Sequence, residues 1–305
     1  MSAGEGGSRV ACVYPEPFGE ELPFLDTSRL FSSAGLPVAE ILEVSGENGI
    51  VIQEDLGDLT LGKFLEKADP EVRERSIDDA VTLIARIQAA TRLAFDTGSI
   101  ASRLKFDTEK LVWELGFFLR HYFHSLRQKP LSKALELSVR SEFNELASEL
   151  ESYSNVLTHR DFHAANLLVD PDGGLHIIDH QDARLGSAAY DLVSLLLDRV
   201  TEEPDKARLA EKRALLLSLR EDLGLGSIDA EDFAYEFDLV AVQRCLKAIG
   251  TFSNQAGNFG KRHYTVYIAP MFGIVSGICG SLGRFPAVRE MILMHTDNNY
   301  EPDVR

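Results

Sequence analysis

The stretch Val156–Leu192, VLTHRDFHAANLLVDPDGGLHIIDHQDARLGSAAYDL, decides how the rest of the chain is read. Leu167 to Val169 is a short apolar run, Asp170-Pro171-Asp172-Gly173-Gly174 is turn chemistry, and Leu175 to Ile178 is apolar again. Two short apolar runs around such a turn predict a β-hairpin. Asp161 and Asn166 stand just ahead of it, and Asp179 stands at its far end, 18 residues beyond Asp161. A hairpin returns the chain on itself, so Asp161, Asn166 and Asp179 are expected to converge. An amide oxygen beside a carboxylate is a hard oxygen site, of the kind Mg²⁺ takes while keeping waters and phosphates as its other ligands. A second carboxylate, Asp161, can accept a proton from an attacking hydroxyl. The set suggests magnesium-assisted phosphoryl transfer.

Neighbouring residues carry competing readings. Asp170 and Asp172 are explained by turn chemistry alone. His159 and His163, with His176 and His180 nearby, suggest zinc. Ligands at that HxxxH spacing need a helix, and hairpin chemistry follows at once, so the oxygen site is preferred. Asp182 and Arg184 read as a surface pair, with a substrate role for Arg184 as the alternative. Gln243, Arg244 and Lys247 lie on an expected helix and are either a solvated face or part of an acceptor site. The aromatic run Trp113 to Phe123 has core spacing, although Trp113 also suits a sugar platform.

Outward from the hairpin, the first 56 residues differ from the rest. Ser8–Tyr14 and Ile50–Glu54 read as strands, and about Phe24–Ala34 as a short helix ending at Gly35. From Leu59 onward the chain is mostly helical: Ile77, Ala80, Val81, Ile84 and Ile87 recur at helical spacing, as do Leu111, Leu115, Phe118, Tyr122 and Leu126. Further helices are expected over about 132–151, 188–199, 205–222 and 230–253. The most apolar stretch, Tyr267 to Gly283, is interrupted by Pro270 and glycines and reads as too short to span a membrane.

Composition narrows the function classes. The 305 residues carry 31 Lys+Arg against 48 Asp+Glu, a net charge of −17. That acidity argues against coating nucleic acid or adsorbing to anionic lipid. Cys12, Cys245 and Cys279 lie far apart with no CxxC pair, which fits a reduced, cytoplasmic protein. The first ten residues show no signal-peptide pattern.

His159-Arg160-Asp161, Asn166 five residues after Asp161, and Asp179 together resemble the catalytic loop and metal-binding Asp of protein-kinase-like enzymes. In the form HRDFHAANLL, IIDHQDA and YDL the match is to the aminoglycoside phosphotransferase and choline kinase branch. EDLGDLTL (54–61), WELGFFLRHY (113–122), the HQDA after Asp179 and VQRCLKAIG (242–250) further resemble the sugar kinases that phosphorylate N-acetylmuramic acid or N-acetylglucosamine in cell-wall recycling. The resemblance covers roughly residues 8–285 and implies an α+β, two-lobe protein-kinase-like fold: a reduced N-terminal lobe over 1–56 and a mainly helical lobe over 57–305.

It also implies roles. Asp161 would be the base; Asn166 and Asp179 would hold Mg²⁺ on the phosphates of ATP; His159 and Asp191 would brace the catalytic loop. Gln53, Glu54, Asp55 and Leu56 would be the hinge that pairs with adenine, and Arg184 or Arg244 would meet an acidic sugar. The acceptor would be a small molecule, an amino sugar or an aminoglycoside, with no nucleic-acid or membrane partner; the oligomeric state is open. The chain departs from the family pattern at its start. GEGG (4–7) reads as a turn into the first strand rather than a phosphate loop, and Val10–Tyr14 carries no Lys, with Arg9 the only cation nearby. Glu20 or Glu21 is the candidate for the helix Glu that would pair with such a Lys. A pseudokinase that binds without turnover is the rival from another class.

Overall fold

The computed structural model describes residues 8–202 and 204–296. The chain opens with strand β1 (Arg9–Val13), helix α1 (Pro23–Ser33) and strands β2 (Ile41–Ser45) and β3 (Ile50–Glu54). Helices α2 (Leu61–Lys67), α3 (Pro70–Ala89), α4 (Thr91–Asp96), α5 (Ile100–Arg103), α6 (Thr108–Leu119) and α7 (Lys133–Tyr153) follow. Four short strands come next: β4 (Val156–Thr158), β5 (Leu167–Val169), β6 (Leu175–Ile177) and β7 (Arg184–Gly186). The chain then runs through α8 (Tyr190–Leu197), α9 (Lys206–Asp222), α10 (Ala230–Phe259), α11 (Ile268–Leu282) and α12 (Pro286–Thr296).

The chain divides into two compact units. One gathers Met1–Lys105, Val156–Leu185 and Leu215–Ser227; the other gathers Phe106–Asn155, Gly186–Ala214 and Ile228–Arg305. The lobe boundary expected at Leu56 falls inside the first unit. GEGG (4–7) lies outside the described residues.

In the first unit, β3 is the central strand of an antiparallel sheet of order β1-β3-β2, with Cys12 opposite Val51 and Val44 opposite Val51 on its other side. Strand β2 was not expected. Its residues ILEVS are largely exposed, and a bulge between Ile41 and Glu43 breaks the alternation that marks a strand. The loop into β3 needs glycine: Gly49 has φ 66°, and a Cβ there would sit 2.7 Å from the Tyr14 carbonyl oxygen. Helix α1 begins at Pro23, whose missing N–H and fixed φ suit a first turn. Glu20 and Glu21 therefore precede the helix, exposed, instead of lying on it. Asp69 caps α3 by accepting from Val72 N at 2.9 Å, and the expected stripe of Ile77, Ala80, Val81, Ile84 and Ile87 is fully buried or nearly so.

The hairpin is where the sequence placed it. Leu167 pairs with Ile177, Leu168 with His176 and Val169 with Leu175. Its turn is closed by Asp170, whose Oδ1 accepts from the backbone N of Asp172 (2.9 Å) and Gly174 (2.8 Å). Those bonds, with Gly174 leading and His176 second, hold the Asp170 carboxyl below its ordinary range. Backbone bonds dock the hairpin: Ile177 N donates to Pro37 O (2.7 Å) and Val169 N to Leu59 O (2.8 Å). Gly62 N donates to Ala164 O at 3.0 Å, which fixes the loop ahead of the hairpin.

In the second unit α10 packs backbone-close on α6: a Cβ on Gly250 would lie 2.7 Å from Phe118 Cα. Beyond α6 the helix does not continue in α form. Arg120–Leu126 is a π-helical turn, with Arg127 N donating to Tyr122 O at 2.9 Å. The wider turn lets the adjacent Tyr122 and Phe123 both face inward, 4% and 2% exposed. The stretch Arg262–Leu282, 21 residues of 3₁₀ helix and α11, is long and apolar enough to cross a membrane by length and composition. Ile268, Met271, Phe272, Ile274, Val275 and Cys279 of that stretch are buried within the unit, where α11 packs on α10.

Candidate active site

Strand β4 delivers the chain to the site. Leu157 N donates to Thr91 Oγ1 (2.8 Å), and Thr158 Oγ1 donates to the Arg184 carbonyl (2.9 Å). His159 then turns fully inward, its Nε2 donating to the Ile178 carbonyl at 2.9 Å with Phe162 edge-on to its ring. This bond ties the residue two before Asp161 to the residue just before Asp179. Arg160 has φ 85° and Asp179 has φ 64°, left-handed conformations that L residues adopt at a cost.

The structure brings Asp161, Asn166 and Asp179 together. The Asn166 amide nitrogen donates to the Asp161 carbonyl at 3.0 Å and to Asp179 Oδ2 at 3.2 Å. With both N–H groups used, Asn166 has its Oδ1 to offer a cation. Gln181 Nε2 donates to Asp179 Oδ1 at 2.7 Å, so each oxygen of that carboxylate has one donor and retains lone-pair capacity. One carboxylate and one amide oxygen fit Mg²⁺, which completes its shell with waters and substrate phosphates. Among the described residues, no cluster of three His, Cys, Asp or Glu side chains is arranged to hold a metal by itself. Of the histidines behind the zinc alternative, His159 Nε2 meets Ile178 O, His176 Nε2 meets Asp170 Oδ2 (3.1 Å) and His180 Nδ1 meets Thr27 Oγ1 (3.1 Å).

His180, which the sequence offered only as part of the zinc alternative, has a different place. It follows Asp179 directly and is buried beneath α1, stacked on Phe24 with centroids 5.4 Å apart and tilted against Phe31 at 5.2 Å. Burial, with the nearby His159 second, pushes its pKa down to about 3, so it is neutral at physiological pH. α1 thus anchors the segment after Asp179 through the His180 imidazole.

The remaining candidates are distributed as follows. Gln53 and Glu54 end β3, and Asp55 caps the turn after it, Oδ1 accepting from Gly57 N at 2.9 Å. A side-chain bond from Ser8, then the Gly57 bond, holds the Asp55 carboxyl below its ordinary range. Leu56 is half-buried in the same turn. Arg184 is nearly buried and turned to Asp182, with Nε on the Asp182 carbonyl (3.0 Å) and Nη2 on its carboxylate (3.3 Å). Asp191 lies in the first turn of α8, fully buried.

Arg244 and Gln243, for which a solvated helix face was one expectation, are core residues instead. Arg244 is 2% exposed, with Nη2 on Asp198 Oδ2 (3.2 Å) and Ser194 Oγ (2.9 Å). Gln243 donates to Glu114 Oε2 at 3.0 Å, both side chains buried. Apolar neighbours hide that face because α10 is surrounded along its length by α6, α8 and α11. Trp113, in contrast, is 56% exposed, with Lys110 Nζ 4.5 Å above its ring, so it is not part of the core.

Comparison with known proteins shows the family and the fold. The model of the phosphotransferase enzyme family matches residues 2–225. An N-acetylmuramate/N-acetylglucosamine kinase of Pseudomonas aeruginosa is 28% identical over 268 residues, 85% of this chain and 74% of that protein. One of the same name from Neisseria meningitidis is 28% identical over 270 residues, 85% and 75% of the two chains. Among solved structures, the gentamicin complex of the aminoglycoside phosphotransferase APH(2″)-IIa has a TM-score of 0.54 at 13% identity, covering 92% of this chain and 87% of that one. A choline kinase from Streptococcus pneumoniae has a TM-score of 0.54 at 14% identity, covering 92% and 89%. These likenesses show the protein-kinase-like α+β fold, with its mainly helical C-terminal region. The chain belongs to the phosphotransferase enzyme family and is a small-molecule kinase.

Proposed function

We propose that this kinase moves the γ-phosphoryl group of ATP to a hydroxyl of an amino sugar of the N-acetylmuramate or N-acetylglucosamine type, in the cytoplasm. The observation that carries the chemistry is the Asn166 amide bridging the Asp161 carbonyl and the Asp179 carboxylate, which holds base and metal positions in one frame. The names of the relatives at 28% identity support the acceptor class. Three free cysteines suit a reducing compartment.

In this reading Asp161 orients the acceptor hydroxyl and takes its proton as the new P–O bond forms. Asn166 and Asp179 hold Mg²⁺, which when bound neutralises charge on the transferring phosphate. His159 braces the loop through its bond to Ile178 O, and Asp191 keeps the bracing role that the family resemblance implies. The backbone of Gln53–Leu56 meets the adenine, and residues 1–56 act as the nucleotide lobe ahead of the catalytic and acceptor lobe, 57–305. Arg184 and Arg244, the candidates for an acidic sugar group, already pair with Asp182 and Asp198.

ADP release with Mg²⁺, ATP and an acceptor panel tests the proposal. N-acetylmuramic acid and N-acetylglucosamine should each support turnover above the no-acceptor background. Turnover with an aminoglycoside alone would replace the acceptor, and ATP binding without turnover on any acceptor would make the protein a binding module.

A further inference from the structure

Asp182 carries a carboxylate that two arginines share. Its Oδ2 lies 2.7 Å from Arg160 Nη1 and its Oδ1 3.3 Å from Arg184 Nη2, while Arg184 Nε bonds the Asp182 carbonyl at 3.0 Å. An isolated exposed pair contributes little. Here the Asp182 side chain is 51% exposed, but the arginine side chains are only 15% and 9% exposed and both address that one residue. Arg160 stands between His159 and Asp161 in a left-handed conformation, and Asp182 stands three residues after Asp179. The Arg160–Asp182 pair therefore ties the turn bearing the base to the turn bearing the metal ligand. The His159–Ile178 bond makes the same connection on the other side. Together the two ties bracket Asp161 and Asp179.

The geometry points to Asp182 as a positioning residue for phosphoryl transfer, an inference that rests on the roles proposed for Asp161 and Asp179. It acts through Arg160 in two ways. It holds the left-handed turn in register with the metal loop. It also fixes the position of a guanidinium whose Nε lies 3.8 Å from Asp161 Oδ2, and so the cation beside that carboxylate. A carboxylate built into the loop makes the arrangement permanent, with no effector required to assemble it.

The test uses the full chain with Asp182→Asn, Asp182→Glu, Arg160→Met and the Asp182→Asn/Arg160→Met double variant. Hydrogen exchange without substrate should show faster exchange in Asp182→Asn over residues 158–163 and 178–185, with Asp182→Glu close to the parent. In amino-sugar turnover Asp182→Asn should lose roughly ten- to a hundredfold in kcat, with KM for ATP and sugar changed by less than about threefold. Asp182→Glu should recover most of that loss, and Arg160→Met should add little to it in the double variant. Unchanged exchange, unchanged kcat, or single losses that multiply in the double variant would overturn the inference. A parent protein with no turnover on any amino sugar would instead refute the proposed function, and the exchange data alone would then decide whether Asp182 ties the loops.

Discussion

Arg160 and Asp179 hold left-handed φ angles within one site, and such conformations persist only where surrounding contacts over-determine them. For Asp179 those contacts are Gln181, Asn166 and the buried neighbour His180. The carboxylate is thus aimed before any nucleotide arrives. Asp179→Asn, which removes the formal charge but little volume, should weaken Mg·ATP binding by roughly ten- to a hundredfold, the scale of one charge-assisted interaction. Asn166→Ala should give a smaller loss of the same kind. Calorimetry with Mg·ATP checks both, and an Asp179→Asn variant that binds like the parent would remove Asp179 from the metal site.

Among the elements, the β5–β6 hairpin was the most legible, because DPDGG between two apolar runs has few other conformations open to it. Asp161, Asn166 and Asp179 inherited that legibility, since the hairpin returns Asp179 to Asn166. Strands β4 and β7 are three residues each, too short to show a period, and β2 is an exposed strand with a bulge. The π-helical turn was also invisible locally: it lies backbone-close to α10, where a Cβ on Gly257 would lie 2.9 Å from Ser125 backbone atoms. The Arg160–Asp182 tie went unread because Asp182 looked paired with its neighbour Arg184 in sequence. The close approach of α10 is testable. Gly250→Ala should destabilise the protein by about 1–3 kcal/mol, as overpacking does, read from the urea midpoint. A neutral effect would mean that α6 and α10 separate easily. The hairpin turn gives a pH prediction. The folded Asp170 carboxyl is held below its ordinary 3.8, so its stabilising share is complete above that value and is lost as pH falls through the lowered one. Asp170→Asn should flatten the acid limb of the melting curve, and an unchanged limb would assign acid sensitivity elsewhere.

For the whole molecule, a net charge of −17 makes the approach of a polyanionic nucleotide depend on its cation. Mg·ATP at a hundredfold excess over its Kd should raise stability by about 2.7 kcal/mol through linkage, and chelation of Mg²⁺ should remove most of that gain. A thermal shift identical with and without Mg²⁺ would separate nucleotide binding from the Asn166–Asp179 pair. In the proposed reaction Asp161 serves as the base for placing the γ-phosphoryl group on an amino-sugar hydroxyl. Phosphorus NMR of the parent and of Asp161→Asn, each with Mg·ATP and N-acetylmuramic acid or N-acetylglucosamine, tests it most directly. A sugar phosphomonoester resonance should grow in step with ADP for the parent, and about 10²–10⁴-fold more slowly for the variant, the usual contribution of a positioned base. Release of inorganic phosphate without a sugar phosphate, or equal rates from the two proteins, would contradict it.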